Sequence, residues 1–223
     1  MTLLDFPGKV ACTVFLGGCN FRCPFCHNAG LVLGRNVENL SEEEVLSYLN
    51  KRKGLLDGVC ITGGEPTLRP DLKDFIIKIK SLGYSVKLDT NGSNPALLKE
   101  LVNEGLLDYV AMDIKNCLEK YPPTCGVTEL NLDPIKESVA FLLSGEVDFE
   151  FRTTVVKELH TTEDIKTLAK EIKGAKNYFI QSFIDSGDLL QHGFSAADTN
   201  TLQEMLSAAK EYIPNAQLRG VSS

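Results

Sequence analysis

The feature that most constrains this chain is an alternation, sustained from end to end, between short apolar β-rich runs and amphipathic helical patterns. Residues 10–16 (VACTVFL), 58–62, 84–90, 107–115, 148–157 and 177–183 read as strands. Between them, Ser41-Glu42-Glu43-Glu44 opens a helix with serine at the N-cap and glutamate at N3. Residues 71–82 place Phe75, Ile76 and Ile79 on one helical face. Pro95 sits at a helical N1 position, Asp133-Pro134 starts another helix, and 162–173 and 195–212 are helical. Residues 217–219 add a short edge strand. Parallel strands need a crossover, usually a helix, so this order predicts an α/β fold built from βαβ units. The parallel sheet is either curved into a barrel or doubly wound.

At 223 residues, with 43% hydrophobic and 24% charged residues, the chain fits one domain with a full core. A net charge of −7 argues against a nucleic-acid partner, which calls for a basic face. Lys51-Arg52-Lys53 is the solvated last turn of a helix. No run approaches the ~18 apolar residues of a membrane span, and the opening MTLLDFPGKV has no secretory pattern. Seven cysteines, an odd number without an export signal, point to a reducing cytoplasm and thiol–metal chemistry.

Glu65, Asp89, Asn91, Asp113, Lys115 and Arg152 all fall at or near the C-terminal ends of strands. Parallel α/β folds bind ligands at that edge, where the loops converge. The loop after the first strand, GGCNFRCPFCHN, belongs to the same rim and holds Cys19-x3-Cys23-x2-Cys26. A closed zinc site needs four ligands, usually from two knuckles. Only one cluster exists here, Cys26 and His27 are adjacent, and Cys117 or Cys125 would be a distant fourth ligand. Cys23-Pro24-Phe25-Cys26 has thioredoxin spacing, but that motif lies at a helix N-terminus without a third cysteine upstream. A ferredoxin-like carrier needs four thiolates per cubane, and three stand in register. Three thiolates on a four-iron cluster leave one iron open, and an open position is where substrate binds a metal.

This spacing, with Phe25 before the last cysteine, matches the radical S-adenosylmethionine (SAM) superfamily. The chain resembles it over nearly its whole length, from Leu4-Asp5-Phe6-Pro7-Gly8-Lys9 to Leu218-Arg219-Gly220. The resemblance implies a partial (βα)6 TIM-like barrel as a single domain over 1–223. It implies a [4Fe–4S] cluster on Cys19, Cys23 and Cys26, with SAM on the open iron. Gly63-Gly64-Glu65-Pro66 resembles the family's GGEP segment, whose backbone and glutamate hold the SAM amino group. Lys87-Leu88-Asp89-Thr90-Asn91-Gly92 and Ala111-Met112-Asp113-Ile114-Lys115 resemble two strand-end motifs of glycyl-radical activating enzymes. They imply Lys115 against the SAM carboxylate. They also place Asp89 and Asp113 at the ligand or at a monovalent cation, helped by carbonyls of Thr90 and Ala111. By the same resemblance Arg152 lies near the nucleoside and sulfonium, and Phe25, His27 and Asn28 lie beside the ligand. An equal alternative for Arg152 is a rim salt bridge with Glu150. His160 and His192 read as surface or loop residues, and Cys12 and Cys60 as core thiols.

CNFRCPFCHN, GGEPTL, LDTNGSNP, VAMDIK and EFRTTVV are most similar to the anaerobic ribonucleoside-triphosphate reductase activating proteins. Pyruvate formate-lyase activases carry a histidine near the end of the sixth strand and a proline after the fifth. Here Gln181 and Lys157 stand there. The implied activity is reductive cleavage of SAM to a 5′-deoxyadenosyl radical that takes a hydrogen from a glycine of a partner glycyl-radical enzyme. The electron comes from flavodoxin or ferredoxin. The alternatives are a pyruvate formate-lyase-type activase and a radical SAM enzyme acting on a small molecule. The N-terminus is short for the family, so an opening segment is expected to be missing.

Overall fold

Each apolar run becomes a strand in the computed structural model, which describes residues 2–35, 39–185 and 187–221. They are β1 (Ala11–Leu16), β2 (Gly58–Gly63), β3 (Ser85–Thr90), β4 (Tyr109–Asp113), β5 (Asp148–Val155), β6 (Tyr178–Ser182) and β7 (Ala216–Arg219). All six strand pairings are parallel, and strand order follows chain order from β1 to β7. Every crossover therefore steps the same way, and right-handed crossovers lay their helices on one face. β1 and β7 each pair with a single neighbouring strand, so the sheet stays open. This sequential order selects the partial barrel over the doubly wound alternative, whose strand order reverses at a switch point.

The helices are α1 (Ala29–Leu33), α2 (Glu42–Lys51), α3 (Leu72–Ser81), α4 (Pro95–Asn103), α5 (Tyr121–Cys125), α6 (Asp133–Leu143), α7 (Thr162–Glu171) and α8 (Thr199–Lys210). The capping box of α2 forms as expected, with Glu44 N–H donating to Ser41 Oγ and Ser41 N–H to the Glu44 carboxylate. Pro95 occupies the first turn of α4, where no N–H is needed. α8 starts at Thr199 rather than 195, because Asp198 caps Thr201 N–H while Ser195 is bound to Glu158. α1 and α5 are single turns without a periodic signature, and α5 carries Pro122 and Pro123 in its opening turn.

Alternation along the strands gives the sheet two unlike faces. Val59, Ile61, Val86, Leu88, Val110, Met112, Phe149 and Phe151 face the helices and are buried in the main core. Cys60, Lys87, Asp89, Asp113, Glu150 and Arg152 fall on the other, concave face, where they bond to one another or to polar neighbours. A polar lumen inside an apolar shell is the frame on which the site is built. No described helix is long and apolar enough to cross a membrane.

Candidate active site

The cysteine loop leaves β1 at Gly17 and is clamped onto the rim by backbone contacts. Gly64 N–H donates to Leu16 O and Glu65 N–H to Gly18 O, both at 2.8 Å. A Cβ on Gly64 would stand 1.8 Å from Gly18 O, and Gly63 has φ 120° against the backbone of Leu16. The two glycines are required because one backbone rests on another. The Arg22 guanidinium folds back on the carbonyls of Cys19 and Phe21 at 2.6 and 2.8 Å. Arg22 N–H donates to Cys125 O at 2.8 Å, which fastens the loop to α5.

Cys19, Cys23 and Cys26 all line one cleft. Phe25, His27, Asn28, Gly63, Gly64, Asp89, Thr90, Asp113, Lys115 and Arg152 line it too, so strand ends far apart in the chain meet as expected. Phe21, Val32, Thr62, Asn91 and Thr154 complete the wall. All three thiols are free. Among the described residues, no three Cys, His, Asp or Glu groups are gathered tightly enough to cage a single metal ion. Burial pushes Cys19 up to about 11 and raises Cys26, while the Lys115 charge pulls both down. Cys23 is lowered, chiefly by a hydrogen bond from the Cys125 thiol and, against the effect of burial, by Lys115. Cys125 is thus a fourth thiol at the loop, delivered by an element that no periodicity announced.

Glu65 and Ala111 do not line the cleft. Ala111 is buried in β4, paired with Asp89 on one side and Glu150 on the other. Glu65 is 1% exposed, and its carboxylate accepts from Thr67 N–H (3.0 Å), Thr67 Oγ (2.6 Å), Thr90 Oγ (2.8 Å) and Asn91 N–H (2.6 Å). It cross-braces the GGEP turn to the end of β3.

Below the rim runs a chain of alternating charge. Lys87 Nζ donates to Asp89 at 2.5 Å, and Arg152 Nη1 reaches the other Asp89 oxygen at 3.1 Å. Arg152 Nε donates to Asp113 at 2.9 Å, and Lys115 Nζ donates to the second Asp113 oxygen at 3.0 Å. Burial alone would raise the Asp113 carboxyl, but Arg152 and Lys115 hold it well below the usual carboxylate range. Three cations share two carboxylates in this chain, with Lys87 buried beneath the cleft and Lys115 and Arg152 lining it. Arg152 does not pair with Glu150, whose carboxylate instead takes Arg219 at 3.0 and 3.3 Å and the Tyr109 hydroxyl at 3.1 Å.

Burial refines two expectations. His160 lies in the loop after β5, as expected, but is 3% exposed rather than on the surface. Its Nε2 lies 2.8 Å from Lys115 O, and its Nδ1 accepts from Val156 N–H at 3.1 Å. It thereby fixes the backbone that carries Lys115. Cys60 is buried as expected, but on the polar lumen, 3.7 Å from both Lys87 Nζ and Asp89. His192 is exposed. Gln181 does not line the cleft.

Residues 13–172 match the family model described as "Radical SAM superfamily". A Methanocaldococcus jannaschii protein named as a glycyl-radical enzyme activating enzyme is 34% identical over 100% of this chain and 94% of its own. The pyruvate formate-lyase-activating enzyme of Clostridium pasteurianum is 30% identical, over 79% of this chain and 75% of that one. Among solved structures, Streptococcus suis SuiB bound to its precursor peptide SuiA superposes with a TM-score of 0.74 over 97% of this chain at 16% identity. The chain spans about half (49%) of that structure, and at this identity the likeness concerns the fold.

Proposed function

Because the chain belongs to the radical SAM superfamily, whose members use a [4Fe–4S] cluster and SAM, we propose that it activates a glycyl-radical enzyme, anaerobic ribonucleoside-triphosphate reductase. The observation that carries this reading is three free thiols lining one cleft together with Lys115, Arg152 and the two aspartates they bind. When bound, the cluster supplies the electron that splits SAM, and the 5′-deoxyadenosyl group so released takes the Cα hydrogen of a partner glycine.

The chain's own residues bind, orient and shield. Cys19, Cys23 and Cys26 would hold three irons, with Cys125 engaged as the hydrogen-bond partner of Cys23, and the last iron would be open to SAM. Lys115, ion-paired with Asp113 at the cleft, would face the SAM carboxylate. Its backbone is held in place by His160. Phe21, Phe25 and Val32 give the cleft apolar walls that exclude water from a radical reaction. His27, its ring 5.3 Å from that of Phe183 and tilted 35° to it, offers a ring face beside Asn28 for the adenine. Flavodoxin or ferredoxin delivers the electron. The choice of reductase over pyruvate formate-lyase is supported by LDTNGSNP and by Gln181 in place of the sixth-strand histidine.

Anaerobic reconstitution with iron and sulfide should give a dithionite-reducible cubane that yields 5′-deoxyadenosine from SAM. Cys19→Ala, Cys23→Ala and Cys26→Ala should each abolish it. Protein that holds zinc and never cleaves SAM refutes the reading. EPR of the two candidate partners after incubation should show a glycyl radical on the ribonucleotide reductase. A radical on pyruvate formate-lyase alone reassigns the partner.

A further inference from the structure

Resting on that reading of the cleft, we propose that Lys87 and Arg152 are built-in counter-cations for Asp89 and Asp113, so that SAM binds this rim without an alkali cation. The family resemblance leads one to expect a monovalent ion between these aspartates, and the geometry does not fit it. A hard cation needs oxygen ligands. Each of the four carboxylate oxygens already accepts from a cation: Asp89 from Lys87 at 2.5 Å and Arg152 at 3.1 Å, Asp113 from Arg152 at 2.9 Å and Lys115 at 3.0 Å. Of the two residues whose carbonyls the resemblance invokes, Ala111 is buried in the sheet between β3 and β5.

Lys87 is the unassigned member of this set. It is 2% exposed, and the alternation along β3 that puts Val86 and Leu88 into the core turns it into the lumen below Asp89. Apart from Asp89, the partner of its ammonium among the described residues is the Cys60 sulfur at 3.7 Å. A buried ammonium needs its carboxylate as much as the carboxylate needs it. An entering alkali ion would strip a carboxylate from a buried cation and leave that charge unpaired. It would also add positive charge where three cations already face two anions.

The test is SAM affinity, measured by calorimetry on reconstituted holoprotein in potassium, sodium and tetramethylammonium chloride at equal ionic strength. The three dissociation constants should agree within about twofold. A saturable tightening of about tenfold or more by potassium or sodium overturns the inference but leaves the functional reading standing, whereas no SAM binding in any salt defeats that reading. Lys87→Met opens one oxygen of Asp89, so potassium should now tighten SAM by about tenfold. A folded Lys87→Met protein indifferent to potassium removes Lys87 from the role. Should that variant not fold, Lys87→Arg keeps the charge and should match wild type in all three salts. A potassium requirement there also overturns the proposal.

Discussion

Replacing Glu65 with glutamine separates two roles for the GGEP glutamate, brace and ligand. The change keeps shape and volume but gives one carboxylate oxygen up for an amide NH2. If the amide oxygen stays where it accepts from Thr67 N–H, Thr67 Oγ and Thr90 Oγ, the NH2 faces Asn91 N–H across 2.6 Å. If it turns over, the two hydroxyls can rotate and accept, but Thr67 N–H then meets a donor at 3.0 Å. Either way one buried backbone N–H loses its acceptor, which costs about 1–3 kcal/mol, and the remaining bonds lose charge assistance. At 1% exposure water cannot step in, so the expected loss of stability is about 2–4 kcal/mol. For a chain of this size that lowers the midpoint of thermal unfolding by roughly 6–12 °C. Calorimetric or circular-dichroism melts of the metal-free protein read it directly. A Glu65→Gln protein that melts within about 1 °C of wild type yet loses SAM affinity refutes the bracing argument and returns Glu65 to the ligand.

Gly64→Ala drives a methyl into Gly18 O, so it should cost more than about 3 kcal/mol and prevent cluster reconstitution. Gly145→Ala, at φ 82° with open space around it, should cost about 1 kcal/mol and reconstitute normally. Equal melts for the two would remove the packing argument. Burial holds His160 neutral, its protonation lowered below the ordinary histidine value although the Lys115 and Val156 backbone bonds oppose this. Below about pH 6.5 the unfolded chain takes up a proton that the folded ring resists, so stability is full above that pH and falls as pH drops through it. His160→Gln should flatten the wild-type decline in melting temperature between about pH 7.5 and 5.5, and an unchanged slope would show that His160 is not its source.

Strand–helix alternation, the caps at Ser41 and Pro95 and the three-cysteine spacing were legible in the chain itself, because each is a local pattern whose period or loop chemistry is its meaning. Those patterns predicted a parallel α/β fold and a rim that gathers Cys19, Cys23, Cys26, Asp89, Asp113, Lys115 and Arg152, and the cleft contains all of them. Tertiary structure decided the rest. It placed Glu65 behind the rim as a brace, drew Arg152 to two aspartates and away from Glu150, and buried His160 under Lys115. It also brought Cys125 to Cys23 from a turn with no periodic signal, and Lys87 into the lumen from a strand that reads as apolar. The physical reason is common to these cases. A motif fixes which groups reach the rim, but a charge or donor inside a low-dielectric fold takes whichever partner lies nearest in space. Lys87 finds its carboxylate two residues on along β3, but for Glu65, Arg152, His160 and Cys125 the partner comes from another element, and no spacing along the chain encodes it.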